Sequence, residues 1–97
     1  MTAIFISYNQ AYYEDIINLL ESLGERGFTM WRDIMGRGTD KGEPHMGSHA
    51  WPTLNDAVLS IVSDSNADKV LSALREMDAK TPELGIRAFS WPVSATL

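Results

Sequence analysis

The chain has 97 residues, is 44% hydrophobic and 22% charged, and carries a formal net charge of −5 at pH 7. That length predicts one domain, 1–97, and the acidic balance excludes non-specific nucleic-acid binding, which needs a basic surface. The absence of cysteine excludes disulfides and thiolate metal sites. No apolar run approaches the roughly eighteen residues that cross a bilayer. The opening "MTAIFISYNQ" has no basic leader and no cleavage site. The expectation is a cytoplasmic protein that does not insert into a membrane.

Residues 2–8, "TAIFISY", are rich in β-branched and aromatic types and predict a buried strand. Asn9 can cap the helix that follows, in which Tyr13, Ile16, Ile17, Leu20 and Leu23 recur at helical spacing. Glu14 and Asp15 suit the positive end of its dipole, and Gly24 or Gly27 can end it. "FTMWRDIM", 28–35, is a second strand whose poor alternation predicts an edge position or a bulge. The stretch 36–52, "GRGTDKGEPHMGSHAWP", lacks periodicity and is dense in Gly, Pro, Ser and Asp, which predicts a long loop.

"TLNDAVLSIVSD", 53–64, is a nearly continuous apolar run and predicts a central strand. Ser65 or Asn66 can cap a second helix, with Ala67, Val70, Leu71, Leu74 and Met77 as its buried stripe. Pro82 and Gly85 end it, and "IRAFSWPV", 86–93, forms the last strand. Pro92 cannot donate to a ladder, which puts this strand at a sheet edge. Two split strand–helix–strand units make the ferredoxin-like α+β sandwich, βαββαβ, with an antiparallel four-stranded sheet and two helices on one face. In that fold the first and third strands are central. They are the two most apolar strands here.

The turn "MGRGTDKGE", 35–43, resembles the start of the T-loop in the nitrogen regulatory P-II family, where a glycine-x-glycine turn ends the second strand and a lysine-glycine pair follows. Gly36 and Gly38 match the turn glycines, and Lys41 and Gly42 match the pair. "LLESLGERGFT", 19–29, and "VLSIVSDSNADKVLSALREM", 58–77, resemble the family's first helix and its third strand with second helix. Gly85 and Arg87 resemble its glycine-basic pattern before the last strand. Thr39 and Asp40 stand where typical members carry arginine and glutamine, and the T-loop is short, as in a divergent member.

The resemblance implies a homotrimer with small ligands, often adenine nucleotides, in clefts between subunits. It also implies a loop that docks on a target such as a transporter or a metabolic enzyme. The implied ligand contacts are Gly36, Arg37, Gly38, Lys41, Gly42 and Arg87. Glycines at 36, 38, 42 and 47 can cradle an anion with backbone N–H groups, or can simply turn the chain.

His45 and His49 are four residues apart, a spacing that shares a metal on a helix, but the surrounding Pro and Gly oppose a helix. In a tight turn the rings can still meet a divalent or copper ion, with Met46, Glu43 or Asp40 as further ligands. They can instead hold the loop by hydrogen bonds, or meet a ligand at a subunit cleft. A metal-tolerance relative of the CutA-like kind is therefore an alternative, as is a dimeric ferredoxin-like monooxygenase. Trp31, Trp51 and Trp91 fit either subunit contacts or the core. Nucleophilic catalysis has no support, with no cysteine and no histidine outside the loop.

Overall fold

The computed structural model describes residues 1–37, 43–47 and 53–97. Four strands and two helices follow in the order β1 (Thr2–Asn9), α1 (Tyr13–Ser22), β2 (Thr29–Ile34), β3 (Asn55–Val62), α2 (Asp64–Lys80) and β4 (Arg87–Pro92). The sheet order is β2-β3-β1-β4, and every pairing is antiparallel. The two most apolar strands, β1 and β3, are central and the two strands that carry arginine, β2 and β4, form the edges, as the ferredoxin-like pattern predicts.

Strand periodicity sorts the side chains into two faces. Ile4, Ile6 and Tyr8 of β1, with Val58 and Val62 of β3, join Ile16 and Leu20 of α1 and Ala67, Val70 and Leu74 of α2 in one core. Each fully buried aliphatic side chain of this set contributes roughly 1.5–3 kcal/mol over exposure. The registers Ala3↔Trp91, Phe5↔Phe89, Phe5↔Leu59 and Trp31↔Ala57 put the alternate residues on the opposite, uncovered face. There Phe89, Trp91, Trp31 and Ile61 remain 43–51% exposed. Trp31 and Trp91 are therefore not part of the core.

Three local details depart from the sequence reading. Asn9 caps a short 3-10 turn, Gln10–Tyr12, by accepting from the Ala11 N–H, and α1 begins only at Tyr13. The second helix starts earlier than Ser65 or Asn66: Ser63 is its N-cap residue. Asn66 is drawn away by tertiary partners, donating to the Leu23 carbonyl at 3.1 Å and to Glu25 Oε1 at 2.8 Å. The long loop, finally, has a paired stem, since Gly36 and His45 form an antiparallel bridge with N–H···O distances of 2.8 and 2.6 Å.

Candidate functional site

At one end of the sheet, β1 finishes while β3 and β4 begin, and three connections converge there. One is the loop stem. Its Gly36–His45 bridge fixes where the loop leaves β2, and Gly47 (φ +64°) donates to the Thr53 carbonyl at 3.1 Å, bringing the chain back towards β3. Another is the end of α2, where a 3-10 turn over Pro82–Leu84 closes on Gly85 (φ +57°). The last is the end of β1, where Asn9 Nδ2 donates to the Glu83 carbonyl at 3.3 Å.

These connections wall a cleft of about 530 Å³ that includes Asn9, Glu43, His45, Asp78, Glu83 and Arg87. Gly85 lies against the imidazole: a Cβ on it would sit 3.1 Å from His45 Cε1. Both the left-handed backbone and this close approach require glycine there. Arg87 opens β4, is exposed, and holds its guanidinium 5.4 Å from the centre of the Phe89 ring. Glu43, Asp78 and Glu83 add three acidic residues to the lining. The described lining is thus rich in hydrogen-bond acceptors, with Arg87 as its cation.

The sequence-derived residues are brought together only in part. His45 and Arg87 share the cleft. Gly36 is tied to His45 through the bridge, and Arg37, next to it, is exposed. Gly38, Lys41, Gly42 and His49 lie outside the described residues, as do Asp40 and Trp51. Among the described residues no three His, Asp or Glu side chains gather closely enough to hold a metal ion. Sequence reasoning missed Asn55, whose Oδ1 lies 2.5 Å from His45 Nδ1 and whose Nδ2 lies 3.3 Å from Ser7 Oγ. In the sequence Asn55 reads only as a polar residue in an apolar strand, and that burial is the one signal that could have singled it out.

A second polar cluster lies towards the β2 edge. The Asp33 N–H donates to Asp56 Oδ1 at 3.1 Å, and the Arg32 guanidinium lies 4.7 Å from the centre of the Tyr13 ring. The Tyr8 hydroxyl is fully buried and has no hydrogen-bond partner among the described residues. Burial first, then the nearby Asp56 charge, pushes its pKa up to about 12.

A family model for the nitrogen regulatory protein P-II matches residues 1–96. No curated protein sequence matches the chain. Among solved structures, the chain resembles CPII, a nitrogen regulatory PII-like protein from Thiomonas intermedia K12 whose structure holds ADP, AMP and bicarbonate. The TM-score is 0.76 at 15% identity, over 93% of this chain and 82% of that one. The apo form of CPII matches with a TM-score of 0.68 at 13% identity, over 95% of this chain and 89% of that one. A protein described as PII-like from Thermus thermophilus matches with a TM-score of 0.68 at 22% identity, over 95% and 85% of the two chains.

Proposed function

The chain belongs to the nitrogen regulatory protein P-II family, and from that premise we propose that it is a cytoplasmic regulatory trimer that binds an adenine nucleotide in the cleft beside His45 and Arg87. The observation that carries this reading is the convergence of the loop stem with the Gly85–Arg87 segment on one cleft. A ligand there touches both the base of the loop and the rigid end of the sheet. CPII, which shares the fold, holds ADP and AMP.

The chemistry of the lining fits a two-ended ligand. Arg87 can pair with a phosphate through charge-assisted hydrogen bonds. The carboxylates of Glu43, Asp78 and Glu83 repel a phosphate but accept from hydroxyl and amino groups. A nucleotide offers both ends, with Arg37, Gly36 and the loop residues Gly38, Lys41 and Gly42 as further contacts from the loop and from a neighbouring subunit. Binding selects one arrangement of residues 36–52 and so changes the surface offered to a partner such as a transporter or a metabolic enzyme. PII-like proteins are generally regulatory rather than catalytic, and the monooxygenase alternative has no observation in its favour.

Titration calorimetry with AMP, ADP and bicarbonate tests the proposal. Arg87→Ala is expected to weaken ADP binding by about ten- to a hundredfold, the value of a hydrogen bond to a charged group. Bicarbonate binding with no response to either nucleotide would replace the nucleotide by a small oxyanion. An unchanged ADP affinity in Arg87→Ala would remove Arg87 from the site.

A further inference from the structure

His45 is held from behind by a residue that the cleft itself does not display. Asn55, the first residue of β3, is 4% exposed. Its Oδ1 is an acceptor and has no proton to give, so the 2.5 Å contact with His45 Nδ1 requires the proton to be on the imidazole. The other end of the amide donates from Nδ2 to Ser7 Oγ at 3.3 Å, which ties the amide to β1.

The backbone packs closely around the pair. A Cβ on Gly36 would come within 3.0 Å of Asn55 Nδ2, and one on Gly85 within 3.1 Å of His45 Cε1. The Gly36–His45 bridge fixes the height of the ring above the sheet. In a neutral imidazole a proton on Nδ1 leaves a lone pair on Nε2. That lone pair belongs to a ring that lines the cleft, as do Glu43 and Glu83.

We propose that Asn55 is a positioning residue that holds His45 as its Nδ1–H tautomer, so that Nε2 accepts a hydrogen bond from a hydroxyl or amino group of the bound ligand. The proposal rests on the ligand cleft inferred above and sharpens its chemistry. The ligand part that faces His45 is donor-bearing, as a nucleoside is, and is not a fully ionised oxyanion such as sulfate. Asn55 itself makes no contact with the ligand; it acts through the ring.

Long-range proton–nitrogen spectra of the full chain labelled with nitrogen-15, recorded at about pH 8 where free imidazole is neutral, read the tautomer with no ligand present. The His45 signals are those lost in His45→Ala. The expected wild-type pattern has Nδ1 protonated. Asn55→Asp keeps an acceptor and keeps this pattern, whereas Asn55→Leu shifts the ring towards Nε2–H. AMP affinity is expected to fall about tenfold in Asn55→Leu, the value of one hydrogen bond, while sulfate binding does not change. A wild-type Nε2–H tautomer overturns the inference whatever binds. A switched tautomer with unchanged AMP affinity overturns the ligand assignment. Should Asn55→Leu fail to fold, the wild-type and Asn55→Asp spectra still decide. A wild-type protein that shows the Nδ1–H tautomer but binds no AMP supports the role of Asn55 and refutes the nucleotide reading alone.

Discussion

At the scale of single residues, two titratable groups, Tyr8 and Asp64, give the stability its pH dependence at the extremes. Tyr8 combines full burial with a hydroxyl that lacks a partner among the described residues. Its pKa, ordinarily 10.0, is pushed up to about 12, so the folded state holds the phenol neutral while the unfolded chain ionises it first. The associated stability is complete below the unfolded value and is lost as pH rises from about 10 towards and through about 12. Urea midpoints at about pH 9 and about pH 11 should therefore show wild type losing more stability than Tyr8→Phe. At neutral pH the same variant should cost little or stabilise, because removing an unsatisfied buried hydroxyl removes its desolvation cost. Equal alkaline slopes in the two proteins would contradict the assignment. Asp64 works in the other direction. Hydrogen bonds from Thr2 and the N-terminal amine, with the charge of that amine, lower its pKa, so its contribution is lost only as pH falls below the ordinary carboxylate value.

At the scale of elements, the edge strand β2 is where local geometry departs most from regularity. Its register with β3 shifts between Trp31 and Ile34, and Asp33 sits there at φ +56°. The left-handed region costs a non-glycine residue roughly 1–2 kcal/mol. The structure retains Asp33 there because its N–H donates to the buried Asp56 carboxylate, which would otherwise lose a partner. A glycine keeps that N–H and removes the strain. Asp33→Gly is therefore expected to raise the stability by about 0.5–1 kcal/mol, read as a higher urea midpoint at constant slope. A lower midpoint would show that the Asp33 side chain contributes more than its backbone strain costs. The irregularity lies between Trp31 and Ile34, two residues before the Gly36–His45 stem.

For the molecule as a whole, the two faces of the sheet differ in what they ask for. One is covered by α1 and α2. The other leaves Phe5 against Trp31, with ring centres 6.3 Å apart, and Phe89, Trp91 and Ile61 open to solvent. A contiguous apolar face of this kind marks an interaction surface, and in a family that is typically trimeric it fits burial against neighbouring copies. Phe89→Glu is expected to convert the proposed trimer into a 10.8 kDa monomer, read by light scattering after size exclusion. Because the cleft is proposed to be completed by a neighbour, the same variant should lose nucleotide binding. An intact trimer with a charged residue at position 89 would place the contacts elsewhere.

Much of the fold was legible in the chain because hydrophobic period is a local property. The apolar runs "AIFISY" and "AVLSIV", the helical stripe through Ile16 and Leu20, and Pro92 in the last strand were enough to order the strands and set the edges. Gly85 and Arg87 could be matched to a family pattern, and the structure puts Gly85 against His45 and Arg87 on the lining of the same cleft. The exact start of α2 was not legible, because Asn66 answers to Leu23 and Glu25, which are remote in sequence. Nor was the role of Asn55, ten residues beyond His45 and forty-eight beyond Ser7. The sequence by itself determined which helix residues face the core and which strands are central, because both follow from local period and apolar content. Only the tertiary structure decided which polar groups meet, because a hydrogen bond between distant segments depends on register, bulge and turn acting together.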